Sequence, residues 1–107
     1  MKNKIRYNKL IRDKIPAIIE NSNKKSKTHI ANEEEYKLAL LDKLIEEARE
    51  LKEEPCIEEL ADIMEVIEAI KNIYEFKDED INVEKNNKKE ARGGFNDRII
   101  LEYVYED

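Results

Sequence analysis

This 107-residue sequence has little of what usually cross-links or anchors a small domain: one cysteine, one histidine, two glycines, two prolines and no tryptophan. A single cysteine excludes an intrachain disulfide, so a reducing cytosol is the expected environment. Cys56 also has no support as a nucleophile, because the only histidine, His29, is remote in the sequence. We therefore expect Cys56 to be a structural residue at the start of a helix.

Long apolar runs are also missing. No stretch approaches the roughly 20 apolar residues of a membrane-spanning helix, and the opening Met1-Lys-Asn-Lys is not followed by the apolar run of a signal peptide. The sequence therefore predicts a cytoplasmic protein that has no membrane partner.

Aromatic residues make up only 7% of the chain, whereas charged residues make up 43%. A chain of this length forms at most one domain, here residues 1–107, and its own core is expected to be modest. The segment after Pro55 is nevertheless apolar over more than half of its helical circumference. This surplus predicts burial against a second copy, in a homodimer or a larger homo-oligomer.

Charge is distributed unevenly along the chain. The formal net charge of −6 argues against general nucleic-acid binding. Residues 1–32 hold nine Lys or Arg against two acids, whereas residues 33–68 hold fourteen acids against four bases. An acidic region beside a basic arm suits a polyanionic ligand that is bound through a metal ion and lysines.

Local signals predict the first two helices. Asp13 is a candidate cap for a short helix that runs to Glu20, with Pro16 in its first turn. Asn32 is a candidate cap for a long helix that runs to about Lys52, because three glutamates follow it in the first turn.

Two further helices are expected in the second half. Pro55 interrupts the helical pattern, since proline clashes with the carbonyl four residues before it. A second long helix is predicted from there to about Phe76, and Asp78 is a candidate cap for a third that ends near Ala91. Residues 28–31 and 98–105 read as extended, the latter as a short strand or a tail packed on the bundle. The predicted fold is all-α, a bundle built on an antiparallel helix hairpin.

The acidic residues of the two long helices are out of phase with a simple amphipathic pattern. At about 100° per residue, Glu47 and Glu50 lie on the flank of the first apolar arc, Glu59 lies within the second and Asp62 lies at its border. The apolar positions are Leu40, Leu41, Leu44, Ile45, Ala48 and Leu51 in the first helix, and Leu60, Ile63, Met64, Val66, Ile67, Ile70 and Ile73 in the second. A buried carboxylate costs several kcal/mol unless it is paired or binds a metal ion.

A chain reversal at Glu54-Pro55 would set Glu50 opposite Glu59 and Glu47 opposite Asp62. The same register sets Ala48 opposite Ala61, where two small residues would allow close packing. Oxygen ligands without His or Cys favour Mg²⁺, with Mn²⁺ as an alternative. These four carboxylates are therefore predicted metal ligands, although a solvated helix face would explain either string alone.

The acid strings are also the motifs of a known group. Glu46-Glu47-Ala-Arg-Glu50 and Glu59-Leu-Ala-Asp62 resemble the EExxE and ExxD motifs of the MazG-like all-α nucleoside triphosphate pyrophosphohydrolases. The strings Tyr7-Asn-Lys-Leu-Ile-Arg-Asp-Lys-Ile-Pro16 and Arg92-Gly-Gly-Phe95 resemble a compact branch of that superfamily. The spacer between Glu50 and Glu59 is shorter than is usual in the family.

The resemblance implies hydrolysis of a nucleoside triphosphate between the α and β phosphorus atoms, as in the removal of non-standard nucleotides. Glu46 would then orient the attacking water, or lie at a surface or a subunit interface. Basic side chains would bind the outer phosphates: Lys9, Arg12, Lys14, Lys43 and Arg92. Two alternatives stay open: an enzyme similar to phosphoribosyl-ATP pyrophosphohydrolases, and a non-catalytic acidic helical module that binds a basic partner.

Overall fold

A computed structural model of the protein describes residues 4–107. It contains four α-helices and, within these residues, no strand. The helices are α1 (Ile15–Asn21), α2 (Glu33–Glu53), α3 (Ile57–Tyr74) and α4 (Asp78–Arg92). The predicted all-α fold is confirmed. The chain divides into two compact units, one that ends at Glu75 and one formed by Phe76–Asp107.

Helix α2 begins where its capping signal predicts. The Asn32 side-chain oxygen accepts a hydrogen bond from the Glu35 backbone N–H at 2.9 Å. Three glutamates occupy the first turn, where the helix dipole favours negative charge. This cap positions the helix that carries Glu47 and Glu50.

A three-residue connection reverses the chain between α2 and α3. Helix α2 ends at Glu53, Glu54 still donates its N–H to the Glu50 carbonyl at 3.0 Å, and Pro55 stops further winding. Helix α3 begins at Ile57 and packs back along α2. The hairpin with its turn near Glu54-Pro55 is confirmed, and the short spacer is sufficient to build it.

Other helix ends differ from prediction by one or two residues. The cap of α1 is Lys14 rather than Asp13, and the cap of α4 is Lys77, so that Asp78 is already helical. Neither cap makes a side-chain hydrogen bond. Helix α3 ends at Tyr74, before the predicted Phe76, because Glu75 takes a left-handed conformation at φ 56°.

The carboxyl-terminal segment is neither a strand nor buried. Residues 99–107 have no regular secondary structure, and the exposed side chains of this segment include Ile99, Ile100, Leu101, Tyr103, Val104 and Tyr105. A strand needs a hydrogen-bonded neighbour, and the described residues contain none. The strand alternative is therefore wrong for this segment, because high β-propensity alone does not build a strand.

The apolar core is small. Among the described residues only Leu40 and Val66 are buried apolar side chains. Ala48 and Ala61 are exposed, so they do not form the close contact predicted between the helices. Several large apolar side chains of the hairpin are exposed as well: Leu38, Leu41 and Ile45 on α2, and Ile57, Leu60, Met64 and Ile67 on α3.

A cleft of about 430 Å³ lies between the hairpin and the segment that precedes it. Leu40 and Val66 contribute to its hairpin side, and Leu10, Ile11 and Arg12 to its other side. We call residues 4–14, which have no helix or strand, the amino-terminal strap. None of the helices within residues 4–107 combines the length and apolar character that crossing a bilayer requires.

Candidate metal centre

Three carboxylates from the two hairpin helices converge. Glu47 and Glu50 lie one turn apart on α2, and Glu59 lies in the first turns of α3. Each offers one oxygen atom to a group in which all such atoms lie within 4.8 Å of one another. This spacing is compatible with a single hard cation bound by all three residues. Three of the four predicted ligands are thus brought together.

Burial distinguishes this group from a solvated acidic surface. Glu47 is only 7% exposed, although glutamate is rarely buried without a partner. One oxygen of Glu47 and one of Glu59, both Oε2, are buried and have no hydrogen-bond partner among the described residues. Unsatisfied buried carboxylate oxygens are costly in a folded chain, and a divalent cation bound by this group would offset that cost.

The surroundings of the cluster disfavour ionisation of its carboxyl groups. Burial raises the pKa of Glu47 above its ordinary value, and the neighbouring Glu50 raises it further. Desolvation likewise raises the pKa of Glu59, and the charges of Glu50 and Asp62 add to the effect. Both shifts follow first from burial and then from the neighbouring carboxylates, since each disfavours the charged form. A divalent cation would remove this repulsion.

Asp62 has a different partner from the one predicted. Its Oδ1 accepts a hydrogen bond from Arg12 Nη2 at 2.8 Å, and it is outside the three-carboxylate group. The expectation that all four acids share one cluster is therefore corrected in this respect. Asp62 remains close enough for its charge to raise the pKa of both Glu47 and Glu59.

Lys43 lies against the cluster, as its position one turn before Glu47 predicts. Its Nζ is 3.6 Å from Glu47 Oε1 and 3.5 Å from Glu46 Oε2, and its side chain is only 17% exposed. Lys43 therefore offsets part of the negative charge but does not reach the unpaired Glu47 Oε2.

Glu46 is more enclosed than its place on the polar side of α2 predicts. Lys9 of the strap donates a hydrogen bond to Glu46 Oε1 at 2.8 Å. This hydrogen bond is the main cause that lowers the pKa of Glu46 and raises that of Lys9. Glu46 is thus an ionised acceptor held by two lysines rather than a free surface charge.

The remaining predicted basic residues fall in two places. Lys14 lines the cleft together with Arg12, Lys43 and Glu47. Arg92 is the last residue of α4 and belongs to the second compact unit. The strap and the hairpin therefore bring together four of the five predicted basic residues, Lys9, Arg12, Lys14 and Lys43.

Sequence analysis missed the apolar side of the cleft. Tyr36, Leu40 and Val66 line it. Leu40 and Val66 read as ordinary core positions of amphipathic helices, and Tyr36 was given no role. The contacts Lys9–Glu46 and Arg12–Asp62 were missed too, because they join residues 37 and 50 positions apart. The only signal for them was the basic character of the first 32 residues.

Comparison with protein-family models, with curated proteins and with solved structures gave no match. The resemblance to the MazG-like pyrophosphohydrolases stays a prediction.

Proposed function

We propose that the protein is a Mg²⁺-dependent nucleoside triphosphate pyrophosphohydrolase, which converts a triphosphate to a monophosphate and pyrophosphate. One observation carries the proposal: Glu47, Glu50 and Glu59 converge within 4.8 Å, and two of their oxygens are buried without a partner. A solvated helix face or a docking face for a basic protein would expose these oxygens to water. Their burial favours a bound cation over either alternative.

Glu47, Glu50 and Glu59 would bind the ion, with Mn²⁺ as a possible substitute. A divalent cation at such a site neutralises phosphate charge and lowers the pKa of a bound water. Glu46 would accept a hydrogen bond from the attacking water and orient it. Its lowered pKa suits orientation better than proton uptake.

The cleft is the proposed place for the rest of the substrate. Its volume of about 430 Å³ falls in the range of small-molecule sites, and Glu47 lies in its wall. Lys14, Lys43 and Arg12 supply cations there, which could bind the phosphates released as pyrophosphate. Arg92 belongs to the second unit, and its role in phosphate binding stays a prediction.

A homodimer is part of the proposal, as is a cytoplasmic location. The exposed side chains of the hairpin include Ile57 at 88% and Met64 at 64% exposure, which is unfavourable for a lone chain in water. Isologous packing of two hairpins would cover these residues. Light scattering tests this: a monomer at high micromolar concentration would contradict it.

Pyrophosphate release from a panel of standard and damaged nucleoside triphosphates, with and without Mg²⁺, tests the activity. Phosphoribosyl-ATP belongs in the panel, because a preference for it would select the related alternative. Release from no compound, together with no Mg²⁺ binding, would favour the non-catalytic module.

Two adjacent glutamates provide the matched variants. Glu59→Gln should reduce Mg²⁺-dependent release by at least about 100-fold, because it removes one charge that positions the cation. Glu58→Gln, on an exposed neighbour, should change activity little and stability by less than about 0.5 kcal/mol. Equal activity of the two variants at saturating Mg²⁺ would contradict the role of Glu59 as a metal ligand.

A further inference from the structure

Two salt bridges tie the amino-terminal strap to the acidic residues of the hairpin. Lys9 binds Glu46 of α2 at 2.8 Å, and Arg12 binds Asp62 of α3 at 2.8 Å. The strap thus places one cation on each helix, directly beside the candidate metal centre. Both contacts involve basic residues that a polyphosphate would also attract.

Asp62 lies one helical turn after Glu59, so the two carboxylates lie on neighbouring parts of the same helix surface. Glu59 belongs to the three-carboxylate group, whereas Asp62 is held by Arg12. Asp62 is therefore placed to act as a further ligand of the centre, and the guanidinium occupies one of its oxygens.

The Arg12–Asp62 contact can be exchanged at low cost. The Arg12 side chain is 58% exposed and that of Asp62 is 32% exposed. Exposed pairs of this kind contribute only about 0–1 kcal/mol. The strap around Arg12 has no helix or strand that would have to unfold for the side chain to move.

We infer that Arg12 and a divalent cation compete for Asp62, and that Arg12 moves from this carboxylate to a phosphate group of the ligand when the centre fills. The second half of this inference rests on the proposed function, whereas the first half concerns metal binding alone. Arg12 is thus a phosphate-binding residue that is paired with the metal ligand Asp62 before a cation binds.

Charge supports this exchange. The carboxylates of the centre and its neighbours are Glu46, Glu47, Glu50, Glu59 and Asp62, and the cations paired with them are Lys9, Arg12 and Lys43. Their formal net charge of −2 matches one divalent cation. Once that ion is bound, it supplies the positive charge beside Asp62 in place of the guanidinium. The guanidinium then becomes available for an incoming anion, to which it can bind in bidentate fashion.

Calorimetric titration of the full chain with Mg²⁺ alone, at low ionic strength, tests the first half. Arg12→Gln should raise Mg²⁺ affinity by about two- to fivefold, the factor that corresponds to loss of an exposed ion pair. Arg49→Gln is the matched control, because it removes the same guanidinium charge from an exposed position of α2 that makes none of the ion pairs found in residues 4–107. It should leave the affinity nearly unchanged.

A double-mutant cycle shows whether Asp62 transmits the effect. In the Asp62→Asn background, Arg12→Gln should no longer change Mg²⁺ affinity. A gain in Mg²⁺ affinity that persists in that background, or an equal gain with Arg49→Gln, would overturn the competition and leave only a general electrostatic effect.

Inorganic tripolyphosphate, titrated in the presence of Mg²⁺, tests the second half. Arg12→Gln should weaken its binding by about tenfold, since a charge-assisted hydrogen bond is lost. Opposite signs for Mg²⁺ and tripolyphosphate support the inference, whereas a purely structural strap would weaken both. If the unmodified protein binds no Mg²⁺, the proposed function fails; if it binds Mg²⁺ but Arg12→Gln has no effect, only the exchange fails.

Discussion

The two sides of the helix hairpin contrast in an unusual way. On the inward side, Glu47 is buried, as is Leu40 of the same helix, and Glu59 is half-buried on the helix that carries buried Val66. About half a turn away on the helices, apolar side chains such as Ile45 and Met64 are exposed. A single soluble chain normally has the reverse arrangement. The inward side therefore has too little positive charge for its carboxylates, and the outward side exposes apolar side chains to solvent.

The largest expected effect concerns the outward side. Met64→Glu should shift the proposed dimer towards monomer by about 2–3 kcal/mol in dissociation free energy, because burial of Met in the dimer interface would be replaced by burial of a charge. Asn72→Glu adds the same charge to an exposed polar position of α3 and should leave the dimer intact. Sedimentation equilibrium measures both. Equal dissociation in the two variants would remove the contrast between the sides.

On the inward side, Glu47→Gln should weaken Mg²⁺ binding by more than about tenfold, since even residues that merely support a metal ligand are worth 10- to 100-fold. Without metal the variant should be at least as stable as the parent, by up to about 1 kcal/mol, because an unpaired buried charge is removed. Calorimetry and chemical denaturation measure the two quantities. Glu53→Gln, on an exposed position of α2, is the control and should alter neither.

The smallest effect is a pH dependence. The pKa of Glu47 is raised in the folded chain from an ordinary value of 4.5. The folded state therefore holds its proton more tightly than the unfolded state does, and stability falls as pH rises from 4.5 through the folded pKa. This loss should be reduced in Glu47→Gln and should be suppressed by saturating Mg²⁺. Denaturation midpoints from pH 4 to 8 measure it; a parent and variant that change in parallel would contradict the assignment.

Local chemistry explains what the sequence predicts well. The Asn32 cap and the Pro55 break each act within one helical turn, so the hairpin follows from residues that are neighbours in the chain. Once the hairpin exists, Glu47, Glu50 and Glu59 must lie near its turn. Their convergence was predictable for that reason.

The prediction fails where the outcome depends on distant or absent partners. Leu41 and Ile45 satisfy helical periodicity, but they are exposed, because periodicity does not say whether an apolar stripe meets its own chain or another. Asp62 was placed in one group with the other three acids, yet it lies outside that group and accepts a hydrogen bond from Arg12, 50 residues away. Exposed ion pairs leave no periodic pattern in a sequence.

Sequence separation also has a kinetic consequence. The hairpin joins helices separated by three residues, whereas Arg12–Asp62 and Lys9–Glu46 span 50 and 37 residues. Local contacts form early in folding, and long-range contacts with little burial form late and open first. The acidic cluster should therefore form before the strap makes its ion pairs with the hairpin. A newly made chain would pass through a stage in which its carboxylates are in place and no strap cation competes for them, so that metal capture can precede the final step of folding.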